Sequence, residues 1–195
     1  MGEKATHDLV TGAARFSLPI YTPPSRGGAE PKLSLSYDAG SGNGPFGLGF
    51  QLDLPSITRR TDRGVPVYDD TLDTFLLGGE ELVPEGDATR DRVRYRPRRE
   101  GAFAWIERIR DKDGTSSWLV VDRNNTRTTL GATNETRETD PDAPHRIYSW
   151  LVERVEDDHG NLTLFSYKPE DDANVPREPF EEARRVSRLY PKRIH

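Results

Sequence analysis

The sequence predicts an all-β chain, an antiparallel meander of short strands and hairpins. Glycine (17) and proline (15) supply 32 of its 195 residues, a composition that favours turns over helix interiors. Apolar and polar residues alternate in short runs, the period of a strand with one buried face. Turn-forming clusters recur at intervals of about ten residues through 85–131, the rhythm of strands joined by tight connections. One segment departs from this pattern. Phe180, Ala183, Val186 and Leu189 are spaced three apart, which predicts a short helix over 179–189.

Residues 1–31 open polar. Phe16, Leu18 and Ile20 then alternate with Ser17 and Pro19, and Pro19 marks an edge strand because it has no N–H for a ladder. Prolines and glycines make 21–31 a loop. Leu33, Leu35 and Tyr37 alternate with Lys32, Ser34 and Ser36, a strand over 32–37; Leu52 and Leu54 resume the pattern over 50–54. Between them Gly40, Gly42, Gly44, Gly47 and Gly49 predict a tight loop with positive φ angles. A short strand follows over 57–60.

Residues 64–84 read as short strands and turns. Val65 and Val67 alternate around Pro66, and an apolar run over 74–77 meets Gly78-Gly79, a hairpin signal, before returning over 81–83. Val93 and Tyr95 lie in a basic strand. Phe103 and Trp105 alternate with Ala104 and Ile106, so Trp105 is expected inward. The turn over 111–115 precedes a strand over 118–121 with Trp118. After a second turn (122–125), the β-branched run 126–130 ends at Gly131. Residues 132–146 read as a polar loop. A hairpin follows: a strand over 148–155 with Trp150, a turn over 156–161 with Gly160 and Asn161, and a return over 162–167 with Phe165 and Tyr167. The Pro- and acid-rich stretch 168–180 is expected to be a flexible loop. Residues 190–195 read as a strand whose partner lies downstream, so a C-terminal truncation is expected.

Net charge is only -5, and there are no cysteines, which excludes disulfides, thiolate metal sites and a cysteine nucleophile. The opening residues hold no apolar signal-peptide core, and no apolar run reaches membrane-spanning length. Gly42-Asn43-Gly44-Pro45-Phe46-Gly47 satisfies G-x-G-x-x-G, but Pro45 and Pro55 forbid the helix whose N-terminus holds a pyrophosphate. His7, His145, His159 and His195 lack ligand spacing. Asp157-Asp158 with Asn161 lacks the alternating acids of a calcium loop. The neighbouring carboxylates Glu80-Glu81, Asp69-Asp70 and Glu181-Glu182 point to opposite faces of a strand, which disfavours an acid–base pair. The Arg-rich run 90–99 is flanked by Asp87, Asp91 and Glu100, and reads as edge protection more than as a nucleic-acid surface. No catalytic, cofactor or metal residue is assigned.

The blocks GEKATHDLVTGAARFSLPI, PKLSLSYDAGSGNGPFGLGF, LPSITRRTDRGVPVYDD and FLLGGEELVP follow one another in this chain. Together they resemble the N-terminal domain shared by the Salmonella virulence plasmid B (SpvB) family and the B components of insecticidal toxin complexes. Residues 156–167, EDDHGNLTLFSY, resemble the hairpin repeat of Rhs and YD proteins, in which a Gly-Asn turn sets register. The resemblance covers essentially all of 1–195.

It implies a non-catalytic segment of a larger β-sheet shell, or cocoon, that encloses and delivers a C-terminal toxin. The implied partners are the remainder of the shell chain, or a toxin-complex C component and an A-type translocation channel, with no nucleic acid and no membrane insertion by this segment. The family's ADP-ribosyltransferase needs an Arg, a Ser-Thr-Ser strand and Glu-x-Glu. This chain has Ser116-Ser117 and no Glu-x-Glu, so that activity is expected in a C-terminal domain outside it. The expected location is extracellular by a non-classical route, or cytoplasmic before export. The alternative is a stand-alone extracellular carbohydrate- or protein-binding β module, which needs Tyr148 or Trp150 on an open face. The structural residues expected to matter are the five loop glycines, the core set Leu33, Leu35, Tyr37, Trp105, Trp118, Trp150 and Phe165, and Gly160, Asn161 and Tyr167 in the hairpin.

Overall fold

Two compact units divide the chain, Met1–Leu54 and Pro55–His195. The computed structural model describes residues 4–7, 14–24, 30–40, 42–44, 46–99, 104–170 and 188–195. Among these there is no α-helix, only one 3-10 turn at Asn134–Thr136. The helix expected over 179–189 lies outside the described residues except at its end, where Leu189 begins a strand. Of the expected loop 168–180, Lys168 and Pro169 belong to a strand and 171–180 lie outside the described residues. Phe103 also lies outside them.

The first unit is a four-stranded antiparallel sheet, β1 (Lys4–His7), β2 (Ala14–Ile20), β3 (Leu33–Asp38) and β6 (Phe50–Leu52), paired in that order. β2 is therefore internal, not an edge strand. Among the described residues β1 pairs with Ala14 to Ser17 only, so Pro19 lies beyond that pairing and its missing N–H is tolerated. Phe16, Tyr37 and Phe50 form one aromatic cluster with centroids 4.9–5.9 Å apart. Leu33, Leu35 and Tyr37 are all half-buried, as is the rest of β3, so the expected sharp alternation is blurred.

The glycine loop contains its own two-residue ladder, β4 (Asn43–Gly44) against β5 (Gly47–Leu48). Positive φ is found at Gly47 (103°) and Gly49 (79°). Gly49 is fixed by space as well: a Cβ there would lie 2.8 Å from the Asp38 carbonyl and from the Tyr37 ring. At the loop's base the Gly49 N–H donates to Gly42 O, the Asp38 N–H to Gly49 O, and the Gly40 N–H to the Asp38 carboxylate.

The second unit begins with a meander: β7 (Ser56–Arg59), β8 (Phe75–Leu77), β9 (Glu80–Glu85), β10 (Arg92–Pro97), β11 (Trp105–Arg110), β12 (Ser116–Val121) and β13 (Arg127–Leu130). Its turns follow their sequence chemistry. Gly78 and Gly79 both have positive φ (57° and 85°), the two-residue hairpin geometry that matches strand twist. Asp111 to Thr115 and Asp122 to Thr126 close through Asp side chains that accept backbone N–H groups.

The 14-residue β15 (Ala143–Glu156) then accepts partners on both flanks. Ser149 pairs with Thr58 of β7 and with Glu138 of β14 (Arg137–Asp140); Arg154 pairs with Thr129 of β13 and with Leu164 of β16 (Leu162–Pro169). Because β15 joins β7 to β13, eight strands form a closed hydrogen-bonded ring. Such a ring leaves an interior that side chains fill. The polar loop expected over 132–146 is in fact the 3-10 turn, β14 and the start of β15. Short connections and a second partner strand turn those polar residues into ladder.

The ring's interior holds Ile57, Phe75, Leu82, Val93, Tyr95, Ile106, Trp118, Leu130, Ile147 and Trp150, each at most 3% exposed. Phe75, Tyr95, Trp118 and Trp150 contact one another at centroid distances of 5.0–6.0 Å. Trp150 Nε1 donates to Ser116 O at 2.6 Å. Trp105 is not in this core. Ile106 and Arg108 take the inward positions of β11, and Trp105 is 46% exposed on the opposite face, beneath the Arg94 guanidinium at 4.2 Å.

That geometry predicts a fluorescence signature. Trp118 and Trp150 are sealed, so iodide should quench only Trp105, drawn in by Arg94, and caesium should quench it less. Trp105→Phe should remove the iodide-accessible component. Equal quenching by both ions, or persistence of the component in the variant, contradicts the placement.

The interior also carries charge. Arg59 (3% exposed) donates to Asp70 at 2.6 Å, Asp73 at 2.9 Å and Ile147 O at 2.8 Å. Arg108 (0%) ion-pairs Asp70 at 2.9 Å and donates to Ala88 O at 2.8 Å. Both acids come from the β7–β8 connection, where Val65 and Val67 were expected in strand. They are loop residues, 87% and 64% exposed. Pro66 lacks an N–H, and the Val67 and Tyr68 N–H groups are taken by the Asp73 carboxylate, which leaves no ladder to form.

Candidate functional site

The β15–β16 turn is built around Asp157. Its Oδ1 accepts the His159 and Asn161 N–H groups at 2.9 and 2.8 Å, and its Oδ2 accepts Asn161 Nδ2 at 2.6 Å. Gly160 supplies φ +80°, and Asp157 and Asn161 close the turn through their backbones. The Asn161 side-chain hydrogen bond holds the Asp157 carboxyl below its ordinary pKa. Asp157, Asp158 and His159 bring ligand atoms within 4.8 Å of one another, but Asp157's oxygens are already occupied by the turn. This cluster is turn chemistry.

The return strand β16 places Phe165 inward at 8% exposure and leaves Leu162 and Leu164 exposed at 47% and 42%. Tyr167 Oη donates to Val152 O at 2.7 Å, and burial pushes its phenol well above its ordinary pKa, so it remains a donor.

β17 (Leu189–Ile194) pairs with β16 on one side and, among the described residues, with no strand on the other. Leu164 and His195 exchange both backbone hydrogen bonds, at 3.1 and 3.0 Å. Antiparallel alternation then aims the Ile194 N–H and C=O away from β16, at the open edge. At the other end of β17 the outward Leu189 N–H is capped by Glu138 Oε1 at 3.2 Å. Among the described residues the edge is thus closed near Leu189 and available near Ile194. Pro191 sits at a register shift between the two, the position at which an edge tolerates it.

Burial raises the Glu138 carboxyl above its ordinary 4.5, against the Leu189 N–H, Arg188 and Ser149, which lower it. A carboxyl whose folded pKa is raised favours the fold when protonated; that contribution is present below the unfolded value and is lost as pH rises through the folded one. Glu138→Gln keeps the acceptor for Leu189 and removes the titration. The variant should gain in urea midpoint over the parent as pH rises above 4.5. Parallel pH profiles for the two proteins would refute the role.

Of the residues expected from sequence, the site unites Gly160, Asn161, Phe165 and Tyr167. Trp118 and Trp150 are fully buried in the ring, so Trp150 presents no open aromatic face. The five loop glycines and Leu33, Leu35 and Tyr37 belong to the first unit. Glu138 was missed; it lies in a stretch with no strand periodicity, and only β15's second flank makes it an edge cap.

The family model described as Salmonella virulence plasmid 65kDa B protein (SpvB) matches residues 8–195. The Mono(ADP-ribosyl)transferase SpvB of Salmonella typhimurium (strain 14028s / SGSC 2262) is 35% identical over 184 aligned positions, 84% of this chain and 31% of that protein. The chain thus spans about a third of the curated relatives it matches. The N-terminal domain of effector protein SpvB from Salmonella typhimurium strain LT2 superposes with a TM-score of 0.79 at 33% identity, over 91% of this chain and 62% of the other. The TcdB2-TccC3 structure gives 0.83 at 32% identity, over 98% of this chain and 10% of that one. The Photorhabdus luminescens Tc holotoxin pore gives 0.75 at 32%, over 88% and 9%.

Proposed function

This chain belongs to the SpvB family, and on that premise we propose that it is a non-catalytic structural segment of a toxin-complex B/SpvB-like shell. Its work is mechanical. The closed ring of the second unit is a finished fold, and the Ile194 edge of β17 adds the next strand of the wall by backbone pairing. That outward-facing edge is the observation that carries the reading. The large uncovered share of each relative, 69% of the Salmonella protein and 90% of the TcdB2-TccC3 chain, supports a neighbouring wall. On this reading the ADP-ribosyltransferase chemistry in the relatives' name belongs to chain outside the matched segment. On this reading the partners are the remainder of the shell chain, or a C component and an A-type channel, and the location is extracellular by a non-classical route, or cytoplasmic before export.

The test is a chimera in which this chain replaces its counterpart in a TcdB2-type shell. Ile194→Pro removes the outward N–H and leaves pairing with β16 intact. The parent chimera should assemble as a soluble shell and the variant should not, while the isolated chain keeps its urea midpoint. Equal assembly by both overturns the edge-pairing mechanism.

A further inference from the structure

The β7–β8 connection is a closed loop held more firmly than a connector requires. Its neck is shut by the Arg60 N–H to Thr74 O at 2.9 Å, beneath the Arg59–Phe75 pair of the ladder. Two of its side chains, Asp70 and Asp73, reach into the ring and bind Arg59 and Arg108. Asp73 also binds the Val67 and Tyr68 N–H groups at 3.0 and 2.8 Å. Tyr68 is left at φ +61°, a strained conformation for a bulky residue, with the Arg59 and Arg146 guanidinia 5.6 and 5.9 Å from its ring.

The same loop exposes Val65 at 87%, Val67 at 64% and Leu72 at 74%. Aliphatic side chains in water stabilise nothing, and a strained backbone needs a reason to be kept. Rigid anchorage beneath an exposed apolar tip is the arrangement that lowers the ordering cost of association.

We propose that loop 61–74 is a preorganised docking knob whose Val65, Val67 and Leu72 seat in an apolar groove of the neighbouring shell chain, a proposal that rests on the structural role above. The occupant follows from two observations. The chain accounts for only 31% of the Salmonella relatives and 10% of the TcdB2-TccC3 chain, so most of the surface available to the loop in an assembled relative belongs to chain outside this segment. With Asp70 and Asp73 neutralised by Arg59 and Arg108, the loop's exposed charges are Asp62, Asp69 and Arg63, so it offers anionic lipid and nucleic acid no cationic patch.

The test uses the same chimeric shell, with photoreactive benzoylphenylalanine in place of Val65 or Leu72, in place of Lys112 as an exposed control, and in place of Lys192 beside the β17 edge. Adducts mapped by mass spectrometry from positions 65 and 72 to one shell segment, with none from 112, are the expected result. Adducts from 192 but none from 65 or 72 overturn the knob and leave the edge reading standing. Adducts from none of the three overturn both, and adducts to lipid alone overturn the knob. In parallel, Val65→Ser with Leu72→Ser should reduce assembled shell on the order of tenfold or more without moving the urea midpoint of the isolated chain; unchanged assembly also overturns the knob.

Discussion

Asp70→Asn is expected to cost the second unit about 3–5 kcal/mol of unfolding stability, the range for breaking a buried ion pair from one side. Asp70 answers Arg59 at 2.6 Å, Arg108 at 2.9 Å and Arg110 at 3.5 Å, and two of these guanidinia are at most 3% exposed. Asparagine is nearly isosteric but leaves Arg59 with Asp73 alone and takes from Arg108 the carboxylate it pairs with. Urea denaturation followed by near-ultraviolet circular dichroism reads the loss. The double variant with Arg108→Met should recover part of it, because the uncompensated charge goes with the side chain. A loss under about 1 kcal/mol would place this network with exposed salt bridges, and the tight hold on loop 61–74 would need another cause.

Gly131→Ala is expected to be of similar size for a different reason. Gly131 has φ +63°, and a Cβ there would lie 2.3 Å from Trp150 Cδ1 and 2.9 Å from its Cβ and Cγ. A left-handed non-glycine residue costs roughly 1–2 kcal/mol and overpacking roughly 1–3, so the sum is about 2–5 kcal/mol. Gly160→Ala is the matched control: φ is +80° there, but no atom lies within 4 Å of the added carbon. It should show the backbone cost alone. Equal losses at the two positions would mean that Trp150 yields and that the close approach carries no energy.

Strand and turn chemistry was largely legible in sequence because it is local. Alternation around Val93 and Phe165, the Gly78-Gly79 hairpin and the Asp157–Asn161 turn depend on φ preferences and on side chains reaching two to four residues along the chain. The failures are equally instructive. Trp105 and Ile106 are both apolar, and period-2 reading cannot choose which of two adjacent apolar residues faces in; the ring chose Ile106 because its row is continuous with Tyr95 and Val120. Val65 and Val67 alternate like a strand, yet carboxylates took the N–H groups a strand would need. Residues 137–140, RETD, are polar throughout and became strand because β15 offered an unpaired flank.

By itself, then, the sequence determined an all-β chain with no thiol chemistry, its turn positions, and the family to which it belongs. These follow from composition, local conformational preference and ordered motif blocks. Tertiary structure alone decided that the meander closes through β15, that Arg59 and Arg108 are buried against Asp70 and Asp73, that Gly131 lies under Trp150, and that, among the described residues, no strand pairs with the edge at Ile194. Each of these is a contact between residues far apart in the chain, and the energy that selects it exists only once the ring has brought them together.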